Sequence, residues 1–167
     1  FICTGMLPRN IAVLGKTELR YIPVFGLAFW LAGNIYINRK NKAKAWSTMQ
    51  SVAKTVQRRQ CAVYIFPEGT RSKGQGMLPF KSGAFALAIE AGLPIVPIVF
   101  SSTHKNIDLH KLHAGYALGK FLEPVSTDGM GEEDVRPLAD ACRERMMQAV
   151  AELDAQADAL QHKTPKR

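Results

Sequence analysis

The stretch Phe66-Pro67-Glu68-Gly69-Thr70-Arg71-Ser72 concentrates groups that can hold an anion. Thr70, Arg71 and Ser72 offer a hydroxyl, a guanidinium and a second hydroxyl in succession, which suits phosphate oxygens, and Gly69 lets the backbone approach a ligand closely. Pro67 halts ladder hydrogen bonding after the apolar run that precedes it. Glu68 is the odd member, because a carboxylate among anion-binding groups repels the ligand unless it orients the arginine or handles a hydroxyl. A polar turn with an Arg/Glu surface pair is the plain alternative, and on chemistry alone both readings stay open. Lys16, Arg39 and Arg71 each stand at or just beyond the end of an expected strand. In a parallel sheet those ends share one side, where ligands collect, and several cations there suit a doubly charged phosphate.

Spacing excludes several other chemistries. Gly69 to Gly74 has the glycine spacing of a P-loop, but Gln75 stands where the phosphate-binding lysine should follow. Pro79 breaks a dinucleotide fingerprint begun by Gly74 and Gly76, and no G-x-S-x-G elbow exists. His104, His110 and His113 fit no compact metal site, so no metal is expected. His104 and Asp108 form a His/Asp pair in an expected loop, where surface polar residues are the default.

The elements that must position the loop follow from apolar patterning. Asn10–Leu14 reads as a buried strand, Lys16–Tyr21 as a helical turn stopped by Pro23, and Ile35–Ile37 as a second strand. Asn41 is an expected N-cap for a helix through Arg59, with Ala45, Met49, Val52, Ala53 and Val56 on one apolar face. Ala62–Ile65 is a strand that empties into the Phe66–Ser72 loop. Ser82 is placed to cap a helix over Gly83–Ala91, which Gly92 and Pro94 close. Ile95–Phe100 is a strand whose proline suggests an edge or a bulge, and another strand is expected around Tyr116–Phe121. Val135–Leu160 reads as one long helix with Leu138, Cys142, Met146, Ala149, Val150 and Leu153 on its buried stripe. Strands alternating with helices give an α/β fold with a largely parallel sheet. Tyr21–Ala32 is apolar and aromatic without a polar stripe. It is either a core segment or a surface that dips into lipid headgroups, since Arg20, Tyr21 and Trp30 are residue types found there.

At 167 residues, with 47% hydrophobic and 22% charged residues, the chain suits one domain with a real core. Its net charge of +8 is uneven: residues 1–60 hold ten Lys/Arg against Glu18 alone, and residues 121–167 hold six against ten acids. A basic half implies an anionic partner: nucleic acid, an anionic bilayer or a phosphorylated small molecule. Aromatics are not interleaved with the basic residues and no nucleic-acid motif appears, so nucleic acid is not expected. Lysines on the expected second helix read as a solvated face. Cys3, Cys61 and Cys142 lie far apart and outside any C-x-x-C pair, which reads as reduced thiols. The longest apolar run, Val24–Ala32, is well short of the roughly 20 residues of a membrane span.

Taken together these segments resemble the 1-acyl-sn-glycerol-3-phosphate acyltransferases. Phe66–Ser72 is similar to that family's third block, FPEGTRS, residue for residue. Gly33-Asn34-Ile35-Tyr36-Ile37-Asn38-Arg39 resembles the second block, with Asn38 where the family has aspartate, and Leu93–Ile98 resembles the fourth. Gly15–Leu19, Ile22-Pro23, Phe25-Gly26 and Pro79–Phe85 also resemble family segments in order. The likeness covers about Ile11 to Leu153, and three blocks in order, with the family-like segments between them, are a specific signal.

The resemblance implies a glycerophosphate-acyltransferase-like α/β domain over residues 1–160 and a flexible tail over 161–167. It implies acyl transfer from acyl-CoA or acyl-ACP, as co-substrate and without a resident cofactor, to the sn-2 hydroxyl of lysophosphatidic acid at the cytoplasmic face of the inner membrane. A histidine oriented by an aspartate, from the first block N-H-x-x-x-x-D, would be the general base. Counting back from Lys16 puts that block upstream of Phe1, so no catalytic residue is expected in this chain, which alone should be inactive. His104 and Asp108 have the wrong spacing and order to replace it. Acceptor binding would fall to Lys16 and Arg71 on the phosphate, Arg39 in support, and Glu68, Gly69 and Thr70 around the glycerol. A related lysophospholipid or glycerol-3-phosphate acyltransferase, or a non-catalytic anionic-lipid module, are the alternatives. Under the resemblance, Tyr21–Ala32 becomes a better candidate for contact with an acyl chain or the bilayer surface.

Overall fold

The computed structural model describes residues 10–37, 45–72, 74–102 and 117–163. Its centre is strand β1 (Ile11–Lys16), which pairs in parallel with β2 (Ile35–Ile37) on one side and β3 (Ala62–Tyr64) on the other. Leu14, Gly15 and Lys16 face Ile35, Tyr36 and Ile37, while Ile11, Ala12 and Val13 face Ala62, Val63 and Tyr64. Parallel neighbours need crossovers. A 3₁₀ turn (Thr17–Tyr21) and helix α1 (Phe25–Leu31) carry the chain from β1 to β2, and helix α2 (Ala45–Arg59) leads to β3.

The core forms where α2 lays its apolar face on the sheet. Met49, Val52, Ala53 and Val56 follow helical spacing and meet buried Ala12 and Ile37. Phe85, Ala86 and Leu87 of α3 (Gly83–Ala91) and Leu138, Ala139 and Cys142 of α4 (Val135–Lys163) close the same cluster. Further along α4, Ala149 and Leu153 cover Val99 and Leu122 in a second, smaller core.

Several elements depart from the sequence reading. Beside the three-stranded parallel sheet stands a separate antiparallel pair, β4 (Ile98–Phe100) with β5 (Gly119–Phe121). Pro97 has no N–H for a ladder, so the expected strand over Ile95–Phe100 splits, leaving Ile95 in an isolated bridge to Val125. β1 runs on to Lys16, two residues past Leu14. Ser82 precedes α3 but its side chain caps nothing, because its own backbone is already helical rather than extended. The final helix continues through Lys163, beyond Leu160, on an Ala-rich sequence of high helix propensity. Asn41, the expected N-cap of α2, and Tyr116 lie outside the described residues.

The stretch around α1 is not a core segment. Tyr21, Val24, Leu27, Trp30 and Leu31 are 75%, 84%, 61%, 60% and 67% exposed. The reason is how little of α1 faces inward. Gly26 is buried so tightly that a Cβ there would stand 2.4 Å from the Arg20 carbonyl oxygen. Phe29 stacks on Tyr36 of β2 at 5.2 Å, and the Tyr36 hydroxyl donates to the Gly26 carbonyl at 2.7 Å. Those two inward positions leave the rest of an apolar helix facing out.

Helix α4 reaches back to the segment before α3. The Arg143 guanidinium donates to the Met77 and Leu78 carbonyls at 2.6 and 3.0 Å, and Arg136, seven residues earlier on the same face, donates to the Phe80 carbonyl at 3.0 Å. Arg136 also pairs with Asp140, whose hydrogen bond and charge hold the guanidinium pKa above its ordinary value. Arg143→Met keeps the aliphatic stem and deletes both charge-assisted bonds. It should lower unfolding stability by about 1–2 kcal/mol, read as a shift in the urea midpoint with an unchanged m-value.

Candidate functional site

The strand order β2-β1-β3 means that the chain leaves β1 to one side and returns to the other. In open α/β sheets the crevice outside the carboxyl ends of the two strands flanking such a reversal is where ligands bind. Here those strands are β1 and β3, so Lys16 and the Phe66–Ser72 loop both follow the carboxyl ends that flank the reversal. Lys16 is the last residue of β1 and its side chain is exposed. β3 ends at Tyr64, level with Val13, and the loop follows two residues later. Arg39, just after β2, lies outside the described residues, as do Asn38, His104, Asp108, His110 and His113.

Within the loop the side chains divide by role. Thr70 and Arg71 are exposed at the rim. Glu68 is half-buried and turns away from the arginine, with Oε2 accepting the Leu78 N–H at 3.0 Å. No Glu68–Arg71 ion pair forms, so the plain Arg/Glu surface pair is not what this loop builds. The carboxylate instead ties the loop to the segment that α4 holds, which leaves the Arg71 charge for an anion. Gly69 has φ of +67° and donates its N–H to the Phe66 carbonyl at 3.1 Å. That conformation favours glycine, and the space where a side chain would stand is taken: Lys81 Cδ and Nζ lie 3.1 Å from the position of a Gly69 Cβ.

Lys81 is the residue that the sequence reading passed over. Pro79–Phe85 stood out only as a family-like segment, and no periodicity or spacing links position 81 to position 69. The link is the bond from the Lys81 N–H to the Pro67 carbonyl at 2.8 Å. Lys81 thus packs on the loop that bears Arg71, and Glu68 braces that loop from the Leu78 side. Cys61 and Cys142 are buried and unbridged, and burial pushes the Cys142 thiol pKa up against the weaker opposing pull of Arg145.

Known proteins resemble this chain over most of its length. The family model described as Acyltransferase matches residues 1–101. The chain is 45% identical over 147 residues to a 1-acyl-sn-glycerol-3-phosphate acyltransferase of Escherichia coli K12, covering 88% of this chain and 60% of that protein. It is 43% identical to the Haemophilus influenzae protein of the same name, covering 88% and 61%, and 42% identical to the human alpha protein, covering 89% and 53%. The chain therefore spans a little over half the length of these relatives. Among solved structures it is similar to the crystal structure of the 1-acyl-sn-glycerophosphate (LPA) acyltransferase PlsC of Thermotoga maritima. That match has a TM-score of 0.65 at 26% identity, over 87% of this chain and 58% of that one. With more than half of its residues inside the family model, and the FPEGTRS loop at the switch point of its sheet, the chain belongs to the acyltransferase family.

Proposed function

We propose that this chain forms the acceptor side of a 1-acyl-sn-glycerol-3-phosphate acyltransferase, which esterifies the sn-2 hydroxyl of lysophosphatidic acid to give phosphatidic acid. The observation that carries the reading is the placement of Lys16 and the Arg71-bearing loop after the carboxyl ends of β1 and β3, the adjacent parallel strands that flank the reversal. A phosphate monoester held there would be fixed by charge-assisted bonds from Arg71 and Lys16, with Arg39 in support. Its glycerol would lie against Glu68, Gly69 and Thr70. Fixing the phosphate orients the neighbouring hydroxyl for attack, a positioning gain that appears in turnover as well as affinity.

The acyl group arrives as a thioester on CoA or acyl carrier protein, a co-substrate rather than a resident cofactor. In the chemistry, a base takes the proton of the sn-2 hydroxyl, the oxygen attacks the thioester carbonyl, and the thiol leaves with a proton. The 167 residues contain no N-H-x-x-x-x-D. The reading therefore assigns them binding and orientation, and assigns proton abstraction to a segment carrying that block.

We further propose that the apolar face around α1 rests on an anionic membrane surface at the cytoplasmic side. Val24, Leu27, Trp30 and Leu31 present lipophilic groups. Arg20 stacks over the Tyr21 ring at 5.3 Å, and Arg59 reaches the Gly33 carbonyl at 3.0 Å, so cations stand at both ends of the patch. An open groove of about 490 Å³ lined by Arg20, Gly26, Leu27, Trp30 and Tyr36 runs beside it, suited to a lipid chain. None of the described helices is long and apolar enough to cross a membrane, which is consistent with contact from one side.

Two experiments test these readings separately. In the chain joined to a segment bearing the His/Asp block, Arg71→Ala should cut kcat/KM for lysophosphatidic acid roughly 10–100-fold while leaving vesicle binding unchanged. Transfer only to another lysolipid or to glycerol 3-phosphate would overturn the acceptor assignment. Conversely, Leu27→Ser with Trp30→Ser should weaken binding to phosphatidylglycerol vesicles about tenfold or more. Unchanged vesicle affinity in that variant would remove α1 as the contact.

A further inference from the structure

Lys81 has the geometry of a ligand-binding residue that no motif marks. Its ammonium lies over Gly69, the one residue of the loop that leaves room for it, with Cδ, Nζ and Cε all 3.1–3.2 Å from where a Gly69 Cβ would stand. Its backbone is held on both sides. The Lys81 N–H donates to the Pro67 carbonyl at 2.8 Å, the preceding Phe80 is buried and stacked on Phe85, and the Phe80 carbonyl accepts from Arg136. The side chain is nonetheless exposed, and no carboxylate among the described residues pairs with it. A lysine kept for structure ordinarily ends on a carboxylate or a carbonyl, and a methionine would cover Gly69 equally well. What this arrangement retains is a charge laid over Gly69, which stands two residues before Arg71 in the loop.

We propose that Lys81 is a further cation of the acceptor phosphate site, beside Lys16, Arg39 and Arg71, an inference that rests on the functional reading above. A phosphate monoester carries close to two negative charges at neutral pH and three strong acceptor oxygens, so it can be shared by several cations. Lysine normally loses considerable rotamer freedom when it engages a ligand. Here the stem is already laid across Gly69, so less of that freedom remains to be lost. The tight fit also gives Gly69 a second purpose: a side chain there would push the ammonium off the loop. The same chemistry could meet a phosphate of the donor carrier, but Lys81 packs on the loop that bears Arg71, and the acceptor is the assignment made.

The test is steady-state kinetics on the chain joined to a segment bearing the His/Asp block, with Lys81→Met and Lys81→Arg, varying acceptor and donor in turn and following thermal unfolding in parallel. Lys81→Met should raise the KM for lysophosphatidic acid about tenfold, leave donor KM unchanged, and unfold at the wild-type temperature. Lys81→Arg should recover most of the loss. An unchanged acceptor KM in Lys81→Met, or a rise confined to donor KM, overturns the proposal. Equal loss in both variants with a lowered unfolding temperature overturns it too, since that is the mark of packing. If the wild-type protein does not acylate lysophosphatidic acid, the functional reading fails by itself. Lys81 is then decided by titrating glycerol 3-phosphate: weaker binding to Lys81→Met upholds a phosphate site, and equal binding removes it.

Discussion

Parallel pairing of β1 with both of its neighbours is the constraint on which the rest of the molecule depends. A strand paired in parallel on each side cannot be joined to either neighbour by a tight turn, so the chain makes two long crossovers. One becomes the 3₁₀ turn and α1, the other α2, and the order β2-β1-β3 places the reversal between β1 and β3. The carboxyl ends then point the same way, so Lys16 and the Phe66–Ser72 loop leave neighbouring strands on one side of the sheet although fifty residues separate them in sequence. Burial follows from the same arrangement. The sheet face bearing Ala12 and Ile37 is covered by the Met49, Val52, Ala53 and Val56 face of α2, and α3 and α4 complete the core.

The loop at that crevice is held from behind rather than from within. Glu68 accepts from the Leu78 N–H, Lys81 donates from its backbone to Pro67, and Arg143 and Arg136 reach from α4 to the carbonyls at positions 77, 78 and 80. Each bond involves a backbone group that would otherwise need water, and together they form a lattice around two irregular segments with no ladder of their own. The carboxylate that looked out of place among anion-binding groups is thereby explained. Turned inward to an N–H, it stabilises the loop and leaves the rim to cations. Part of this brace comes from α4, beyond residues 1–101 that the family model matches.

Helix α1 shows the opposite economy. An apolar helix with only Gly26 and Phe29 directed inward keeps most of its hydrophobic surface in solvent. A contiguous patch of this type is uncommon on a protein that works alone in water. Composition could not reveal it, because Tyr21–Ala32 has the residue content of a core segment and carries no polar stripe to betray an exposed face.

The sequence by itself determined the chemistry and the class of fold. The FPEGTRS block, its order among the other blocks and the cations at strand ends are local facts, and the alternation of apolar runs with helical stripes is set by the periods of 2 and 3.6 residues. Met49, Val52 and Val56 were legible as buried for that reason, as were Leu138, Cys142 and Leu153. Tertiary structure alone decided what depends on contacts between distant residues. It put Lys81 over Gly69, turned Glu68 toward Leu78, set β4 and β5 antiparallel beside the main sheet, and left α1 outside the core. Periodicity states which residues of one element share a face. It does not state what that face meets, because the meeting is fixed by the path of the backbone through the whole domain.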